Sequence, residues 1–237
     1  MSARTGRRLA ELSERFALPR AAPAALDTLL QLLATDATAP TTITDPSTAV
    51  DAHVADALVA LELEQVRAAR GLADLGSGAG FPGLVLAAAL PEARVFLVES
   101  SSKKCAFLGR AAEAMALENV ETVPARAEEW QDGLGNCDVV TARAVAPLNV
   151  LVEYAAPLLR DGGSLVAWKG RRDAGEEADG DAAAAATGLS PAAVRPVRPW
   201  NGAEHLHLHV YLKVGTTPNR YPRRAGMASK RPLRAST

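Results

Sequence analysis

Three glycines at alternating positions, with a carboxylate two residues ahead of them, carry the most specific chemistry in this sequence. Residues 72–83 read LADLGSGAGFPG, a short apolar run containing Asp74 that opens into Gly76, Gly78 and Gly80. This order predicts a β-strand, a tight loop and a helix start, because glycine adopts positive φ angles and lets a ligand approach the backbone. We therefore expect the loop to hold a nucleotide-like cofactor.

The register in which the glycines are counted decides between two cofactors. Gly78, Gly80 and Gly83 match the G-x-G-x-x-G pattern of dinucleotide-binding enzymes, which would make the chain an NAD-dependent oxidoreductase. Counted from Gly76, the loop instead follows Asp74 as it does in S-adenosylmethionine-dependent methyltransferases. The second register is favoured. The dinucleotide pattern would need its first glycine, Gly78, directly after the strand, but Gly76 stands at that position.

Two acids bear on the same choice. Glu99 ends the second predicted strand, about 20 residues beyond the loop, where an acid accepts hydrogen bonds from ribose hydroxyls. Both cofactors contain such a ribose, so Glu99 supports an adenosine cofactor without choosing between them. The Asp74 carboxylate favours S-adenosylmethionine, since it would face the ammonium and sulfonium groups of that cofactor. Its alternative role is to cap the amides of its own loop.

The residues after the fourth predicted strand indicate the reaction. Residues 141–144 (TARA) stand where methyltransferases of exocyclic amines carry an Asn/Asp-Pro-Pro-aromatic motif. Methylation of cytosine C5 needs a thiolate, and we expect Cys105 and Cys137 to be small buried apolar residues. A ring nitrogen such as guanine N7 already offers a lone pair and needs no general base. Arg143 and Lys169, at the ends of the fourth and fifth strands, would position such a substrate electrostatically.

Alternating strands and helices predict the architecture that positions these residues. Right-handed βαβ units would form a parallel sheet, with ligands bound at the carboxyl ends of its strands. Two late strands would add an antiparallel edge hairpin, which gives a seven-stranded Rossmann-like class I methyltransferase fold. The predicted strands are 71–75, 94–99, 120–123, 137–141, 164–168, 192–197 and 205–214, and the predicted core helices are 82–90, 102–115 and 147–159.

The chain outside this core divides into two segments. Amphipathic helices at 6–16 and 23–34, and a third from Asp45 to Val66 that carries His53 and Asp56 one turn apart, form a predicted N-terminal helical cap. The pair is either a site pair or an ordinary helix-surface hydrogen bond. We accordingly assign residues 1–68 to the cap, 69–214 to the S-adenosylmethionine-binding core and 215–237 to a C-terminal tail.

The charge is concentrated at the two ends. The net charge is −1, yet the first twenty residues contain five arginines and the tail contains six basic residues and no acid. Basic ends on a neutral body predict phosphate contacts to a nucleic acid; a solvated tail is the alternative. His205, His207 and His209 alternate with apolar residues, which predicts one face of a half-buried strand, and no cysteine or carboxylate completes a tetrahedral set, so we expect no metal.

Composition bounds the class of protein. With 237 residues and 48% hydrophobic residues, the chain suits one α/β domain with an appended element. Its apolar runs are shorter than a membrane span and its N-terminus lacks the apolar core of a signal peptide. Two cysteines far apart fit a reducing compartment. We expect a cytoplasmic monomer with no membrane partner.

Taken together, these residues resemble the bacterial small-subunit (16S) ribosomal RNA guanine-N7 methyltransferase G family, also called glucose-inhibited division protein B. The similarity covers most of the chain from about Thr41 onward. It implies methyl transfer from S-adenosylmethionine to N7 of the guanine at nucleotide 527 of 16S ribosomal RNA, as naked RNA or within the small ribosomal subunit. The similar stretches are 74–83, 103–108, 126–129, 142–144, 169–170 and 221–226.

The resemblance also implies roles for individual residues. Lys169 and the basic ends would face the RNA, and Asp74, Ser77, Gly78 and Gly80 complete the cofactor loop. Two departures concern the cap: the family usually has Trp-Asn and Tyr-Asn-Leu-Thr where this chain has residues 34–42, and an arginine often stands at the position of Glu204. The cofactor contacts implied by position are Gly76, Phe81, Glu99, Ser100, Ser101, Ala127, Glu128 and Arg143.

Overall fold

A seven-stranded sheet forms the centre of the molecule, in a computed structural model that describes residues 2–235. The strands are β1 Gly71–Leu75, β2 Arg94–Val98, β3 Val120–Val123, β4 Cys137–Arg143, β5 Leu159–Lys169, β6 Leu189–Val197 and β7 Leu206–Lys213. Their order is β3-β2-β1-β4-β5-β7-β6, and β7 runs antiparallel to both β5 and β6 while the other neighbours are parallel. The predicted fold, a mainly parallel Rossmann-like sheet with an antiparallel edge hairpin, is confirmed.

Helices cover both faces of this sheet. They are α1 Ala3–Phe16, α2 Ala22–Thr35, α3 Pro46–Ala49, α4 Asp56–Leu58, α5 Glu64–Arg67, α6 Gly83–Ala89, α7 Ser102–Ala114, α8 Leu148–Ala155, α9 Ala174–Thr187 and α10 Met227–Lys230. Successive residues of β1 point to opposite faces, so Leu72 packs with α1, α2, α6 and α7, whereas Ala73 packs with α8 and α9. The N-terminal helices thus bury their apolar faces in the same hydrophobic cluster as one face of the sheet.

The predicted helix from Asp45 to Val66 is interrupted rather than continuous. It begins at α3, where Asp45 Oδ2 accepts a hydrogen bond from the Thr48 amide at 3.0 Å, and widens into a π-helical turn at Val50–Ala55. After α4 it tightens into a 3₁₀ turn at Val59–Glu62. A π turn rotates the side chains that follow it relative to a regular helix, and such turns are frequent at functional sites. Here the turn carries His53.

Strand β7 differs from its predicted half-buried pattern. His209, Tyr211 and Lys213 are 3%, 2% and 7% exposed, whereas Leu212 is 37% exposed. The prediction of one solvated face was wrong because β7 lies inside the sheet, between β5 and β6. Helix α9 covers the face that would otherwise be in water, through Asp181 beside Tyr211 and Glu177 beside His209. His205 lies outside the strand, with a φ of 59°.

The charged and alanine-rich segment after β5 forms helix α9, Ala174–Thr187. Asp173 caps its N-terminus by accepting a hydrogen bond from the Glu176 amide at 2.8 Å. Gly188 ends it in the left-handed conformation at φ 84°, the usual conformation of a helix C-terminal glycine. This helix and its cap place three acids, Asp173, Glu176 and Asp179, beside the end of β5.

Candidate active site at the carboxyl edge of the sheet

The glycine loop adopts a conformation that requires its glycines. Gly76, Gly78 and Gly80 have φ angles of 64°, 56° and 92°. A Cβ atom at Gly80 would lie 2.3 Å from Leu84 Cδ1, and one at Gly76 would lie 2.8 Å from Val145 Cγ2. The loop begins directly after β1, where the amides of Gly76 and Ser77 bond to the Val98 carbonyl at 2.8 and 3.3 Å. The backbone of Gly76 is thereby exposed at the carboxyl edge of the sheet.

Asp74 lies under this loop and is fully buried. Its Oδ1 accepts a hydrogen bond from Thr141 Oγ1 at 2.8 Å, and its Oδ2 accepts one from the Gly83 amide at 3.1 Å. Burial raises the pKa of the carboxyl to about 6, although these hydrogen bonds oppose the rise. Because both oxygens bond to protein groups, the geometry supports the alternative role: Asp74 caps its own loop.

Glu99 joins the glycine loop to the start of α7. Its Oε2 accepts a hydrogen bond from the Gly78 amide at 3.2 Å and its Oε1 accepts one from the Ser101 amide at 2.9 Å. The residue is 6% exposed, yet it lines a cavity together with Ser100. The acid is therefore held in a fixed orientation by two backbone amides at the end of β2.

A cavity of about 180 Å³ lies at the ends of β1, β2 and β3. Five predicted cofactor residues line it, namely Gly76, Glu99, Ser100, Ala127 and Glu128. Its volume is below the roughly 300 Å³ at which ligand pockets usually begin, so a cofactor of nucleoside size requires the surrounding side chains to move apart. The complete lining is Leu75, Gly76, Val98, Glu99, Ser100, Ala125, Arg126, Ala127, Glu128, Val145, Ala146, Tyr154 and Ser229.

The remaining predicted residues lie outside this lining or behind it. Ser77 donates from Oγ to the Asp74 carbonyl at 2.8 Å and is 2% exposed. Eight lining residues were not predicted as site residues. Four of them are neighbours of predicted residues in the chain, whereas Val145, Ala146, Tyr154 and Ser229 come from a loop, a helix and the tail and form no local motif. The predicted residues that do not line the cavity are Asp74, Ser77, Gly78, Gly80, Phe81, Ser101 and Arg143.

The cavity residues fit an adenosine cofactor that carries a cationic sulfonium. A glycine backbone without Cβ atoms borders the cavity at Gly76, which suits close approach by a ligand. Glu99 and Glu128 supply carboxylate oxygens that accept hydrogen bonds from hydroxyl or amino groups. The hydroxyl and amino donors of such a cofactor therefore find acceptors here.

Arg143 does not point freely into the cavity. Its Nη1 donates to Asp56 Oδ2 at 2.7 Å and to the Ala52 carbonyl at 3.3 Å, and its Cζ lies 5.4 Å from the centroid of the Phe81 ring. The His53 ring stacks on the Phe81 ring, and the two ring centroids are 4.5 Å apart. The hydrogen bonds of Arg143 thus connect the end of β4 to the interrupted helix.

His53 is neutral in this arrangement. Burial and the positive charge of Arg143 lower its pKa to about 4. Its Nδ1 lies 3.4 Å from Arg143 Nη2, which can only donate, so Nδ1 accepts and Nε2–H donates to Thr41 Oγ1 at 3.1 Å. His53 and Asp56 are each 8% exposed, so the sequence alternative of a helix-surface hydrogen bond is wrong. Both residues instead contact Arg143.

Lys169 lies at the end of β5 beside a second cavity of about 520 Å³. Its Nζ donates to Glu176 Oε1 and to the Ala146 carbonyl, the latter at 3.0 Å. Ser229 lines both this cavity and the one described above, so the two adjoin. The second cavity is lined by Pro147, Asn149, Val150, Lys169, Asp173, Glu176, Asp179, Ser229, Pro232 and Arg234.

The C-terminal tail folds back over α8. Arg223 Nε donates to Glu153 Oε1 at 2.7 Å, and the Glu153 side chain is 2% exposed. The Gly226 amide donates to Glu128 Oε1 at 2.9 Å, and Ser229 Oγ lies 3.2 Å from the Tyr154 hydroxyl. The tail is therefore anchored to the core, although five of its six basic residues are exposed to solvent, namely Arg220, Arg224, Lys230, Arg231 and Arg234. The two last residues lie outside the described part. Arg223 is used internally rather than presented to RNA.

Residues 2–235 contain neither a metal site nor a membrane-spanning helix. This part of the chain contains no group of three or more histidine, cysteine, aspartate or glutamate side chains arranged to hold a metal ion. No helix within it combines the length and the apolar character needed to cross a membrane.

His207 Nδ1 lies 3.0 Å from the Gly170 carbonyl, which links β7 to the end of β5.

Comparison with protein families gives one match over most of the chain. The model of the GidB family, described as rRNA small subunit methyltransferase G, matches residues 24–201. A ribosomal RNA small subunit methyltransferase G from Rubrobacter xylanophilus is 45% identical over 196 residues, covering 80% of this chain and 75% of the relative. The protein of the same name from Desulfitobacterium hafniense is 41% identical over 199 residues, covering 81% of each chain.

Comparison with solved structures supports the fold. A SAM-dependent O-methyltransferase from Thermotoga maritima superposes with a TM-score of 0.55 at 17% identity, covering 80% of this chain and 72% of that one. A variant of the 16S rRNA (adenine(1408)-N(1))-methyltransferase from Catenulisporales acidiphilia gives a TM-score of 0.54 at 18% identity, covering 65% of this chain and 89% of that one. At these identities the likeness concerns the fold alone.

Proposed function

Since the chain belongs to the rRNA small subunit methyltransferase G family, it is an S-adenosylmethionine-dependent rRNA methyltransferase, and we propose that its acceptor is guanine N7 of 16S ribosomal RNA. The position, nucleotide 527, follows from the family resemblance. The NAD-dependent oxidoreductase alternative is not supported. The observation that carries the proposal is the meeting of the glycine loop, Glu99 and Glu128 around one cavity at the carboxyl edge of the sheet.

The cofactor residues divide by what they touch. When bound, S-adenosylmethionine supplies a methyl group made electrophilic by its sulfonium. Gly76 would accept the close approach of the cofactor, Glu99 would accept hydrogen bonds from its ribose, and Ala127 and Glu128 would hold its adenine. Four residues, Asp74, Ser77, Gly78 and Gly80, would act through the shape of the loop. Ser101 would act through the hydrogen bond that its amide donates to Glu99 Oε1.

Phe81 and Arg143 are proposed as positioning residues at the methyl-transfer end of the cofactor. Arg143 is 5.4 Å from the Phe81 ring and is held from behind by Asp56. A guanidinium in this fixed place orients a polar substrate without moving during the reaction, which is the condition for electrostatic preorganisation. His53, neutral because its pKa is about 4, serves as a stacking partner of Phe81 and not as a base.

Lys169 and Glu176 form an adjacent donor and acceptor that suit guanine. Guanine presents O6 beside N7, together with the N1–H and N2–H donors on its Watson–Crick edge. The Lys169 ammonium would donate to O6, and the Glu176 carboxylate would accept from the donor edge. Because N7 carries a lone pair and no proton, the residues have only to bind and orient the base.

The setting of the reaction is also part of the proposal. A ribosomal RNA substrate favours a cytoplasmic protein, and a site assembled from one chain favours a monomer. The division into a cap (1–68), a core (69–214) and a tail (215–237) would then separate RNA-contacting ends from a central cofactor domain. The first and last segments nevertheless bond to the core, through Arg8 to the Pro199 carbonyl and Arg223 to Glu153.

Methyl transfer to a mapped nucleotide tests this function. Purified protein is incubated with S-adenosylmethionine labelled in its methyl group and with 16S ribosomal RNA from cells that lack the modification. We expect label in a single guanosine, and base-specific cleavage at 7-methylguanosine should locate it. Label on another base or another guanine atom would refute the proposed acceptor. Binding of NAD by calorimetry without binding of S-adenosylmethionine would refute the cofactor.

A further inference from the structure

A groove of about 670 Å³ lies between α1 and the loop 198–205, which joins β6 to β7. It is separate from the two cavities of the active site, and α1 precedes the residues that the family model matches, which begin at 24. Its lining is distinguished by arginines and one aromatic ring, namely Arg4, Arg7, Arg8, Arg15, Arg198 and Trp200.

Two of these arginines build the groove. Arg8 bonds to Asp51 and Glu11 at 2.7 and 2.9 Å, and Arg15 bonds to Glu62 at 2.9 Å. Both arginines also donate to the Pro199 carbonyl, at 3.1 and 3.4 Å, so the loop is tied to α1. The shape of the groove is therefore held by these bonds.

The other three arginines are available to a ligand. Arg4, Arg7 and Arg198 are exposed, and none forms an ion pair with a carboxylate among residues 2–235. Five arginines line the groove against three acids, Glu11, Asp51 and Glu204. The exposed surface of the groove thus attracts anions.

Trp200 gives the groove a stacking surface. Of the three tryptophans, Trp130 and Trp168 are each 7% exposed in the two hydrophobic clusters, whereas Trp200 is only partly buried and lines the groove. Guanidinium groups that contact phosphates, beside an aromatic ring that stacks on a base, are the combination by which proteins bind single-stranded nucleic acids. An acidic peptide would use the arginines but not the ring.

The sheet topology places the groove beside the active site. Strand β6 is parallel to β5, because both are antiparallel to β7, so β6 ends at the same edge of the sheet as β5. Lys169 pairs with His207, and His207 pairs with Pro196 on β6. With neighbouring strands about 4.8 Å apart, the loop 198–205 starts about 10 Å from the end of β5.

We propose that this groove binds the single-stranded RNA that flanks the target guanine. Arg4, Arg7 and Arg198 contact its phosphates, and Trp200 stacks on one of its bases. The inference rests on the proposed function, since it takes RNA as the substrate. It adds a second RNA site, formed by α1 and the loop 198–205, to the residues that surround the reacting base.

Fluorescence and RNA binding test the site without requiring methyl transfer. The probe is a 12-nucleotide oligouridylate, followed by tryptophan emission and by anisotropy of a labelled copy. We expect the RNA to quench emission of the wild type, and Trp200→Phe to remove the quenching. Trp200→Ala should weaken binding about 5- to 100-fold, the range measured for loss of one stacked base. Quenching that persists in Trp200→Phe would overturn the stacking role.

The arginines are tested by the dependence of binding on salt. The triple variant Arg4→Ala, Arg7→Ala, Arg198→Ala should lower the slope of log K against log salt concentration by about 2, because each phosphate contact on single strands contributes about 0.7. Alanine is a good helix former, so α1 should remain intact, which circular dichroism would verify. Arg70→Ala is the matched control. The Arg70 side chain is 74% exposed, and because it directly precedes β1 it lies at the amino ends of the parallel strands, away from the groove. An unchanged slope in the triple variant would overturn the proposal.

Two further readouts separate this proposal from its premise. The triple variant should raise KM for ribosomal RNA while kcat and the affinity for S-adenosylmethionine stay the same. An unchanged KM in an active enzyme would refute the groove alone, whereas absent methyl transfer with intact quenching would refute the proposed function alone. Displacement of the RNA by polyglutamate at equal charge concentration would assign the groove to an acidic protein instead.

Discussion

Arg143 Nη1 donates to Asp56 Oδ2 at 2.7 Å, and this ion pair connects the end of β4 to the interrupted helix of the N-terminal segment. The two side chains are only 18% and 12% exposed, so little water is available to replace either partner. Burial raises the pKa of the Asp56 carboxyl, although the positive charge of Arg143 opposes the rise. The orientation of Arg143 toward the Phe81 ring therefore depends on Asp56.

The first prediction concerns this pair. Asp56→Ala leaves the partly buried Arg143 guanidinium without a carboxylate partner, which should lower the free energy of unfolding by about 3 kcal/mol. Turnover should fall as well, because Arg143 loses its fixed orientation. Denaturant unfolding of both single variants and of Asp56→Ala/Arg143→Ala gives the coupling energy, which we expect to be about 1–3 kcal/mol. Additive effects of the two single substitutions would contradict the direct interaction.

A second prediction tests the glycine loop. Gly76→Val should abolish binding of S-adenosylmethionine, because its Cβ would lie 2.8 Å from Val145 Cγ2 and would fill the side of the loop that borders the cavity. Gly135→Val is the matched control. Gly135 has a similar φ of 68°, yet nothing lies within 4 Å of an added Cβ atom. Calorimetry should show loss of S-adenosylmethionine binding in Gly76→Val only. An equal loss of binding in Gly135→Val would mean that backbone strain, and not the filled space, causes the effect.

A third prediction uses the pH dependence of stability. The pKa of Asp74 is about 6 in the folded protein and 3.8 for an unperturbed group, so the folded state binds more protons between these values. Stability contributed by protonated Asp74 is present below pH 4 and is lost as the pH rises through 6. Relative to Asp74→Asn, the wild type should lose on the order of 3 kcal/mol between pH 4 and pH 7.

Asp45→Asn provides the control for that experiment. Its hydrogen bond from Ser47 lowers the pKa of Asp45 below 3.8, so its contribution to stability is lost only as the pH falls below that value. The difference in unfolding free energy between the wild type and Asp45→Asn should stay constant from pH 4.5 to 7. A constant difference for Asp74→Asn as well would show that the buried carboxyl does not titrate in this range.

The fourth prediction separates substrate binding from cofactor binding. Lys169→Ala removes a charge-assisted hydrogen bond to the proposed guanine, worth about 1.5–3 kcal/mol, and should lower kcat/KM for ribosomal RNA about 10- to 100-fold. Affinity for S-adenosylmethionine should change little, because Lys169 does not line the smaller cavity. Arg172→Ala is the control, since its bond to Glu177 lies away from both cavities. Selective loss of cofactor affinity in Lys169→Ala would instead make Lys169 a cofactor-binding residue.

The fifth prediction concerns the folded-back tail. Arg223→Ala leaves the buried Glu153 carboxylate without its partner, so the tail should detach and helix α10, which contains Ser229, should no longer border the proposed cofactor cavity. We expect weaker retention of S-adenosylmethionine and faster cleavage of the tail by trypsin. Arg224→Ala, an exposed neighbour, should have neither effect. Glu153→Gln in the Arg223→Ala background should recover part of the lost stability but not the cofactor affinity.

Local sequence patterns predicted the parts of the site that are close together in the chain. The bounds of β1 and β3 agree with the predicted 71–75 and 120–123, and the predicted Gly76, Glu99 and Glu128 meet around one cavity. These features depend on backbone conformation and on strand periodicity, which neighbouring residues specify. The parallel order of strands then brings their carboxyl ends to one edge.

Only the tertiary structure decided what the charged side chains do. Asp74 bonds to Thr141, Arg143 bonds to Asp56 and Arg223 bonds to Glu153, partners that are 67, 87 and 70 residues apart. A sequence identifies such groups as charged but does not specify their partners, because a buried ion pair depends on the distance and burial that packing creates. The sequence by itself therefore determined the fold and the glycine loop, and long-range packing determined which charges remain exposed for the proposed contacts to RNA.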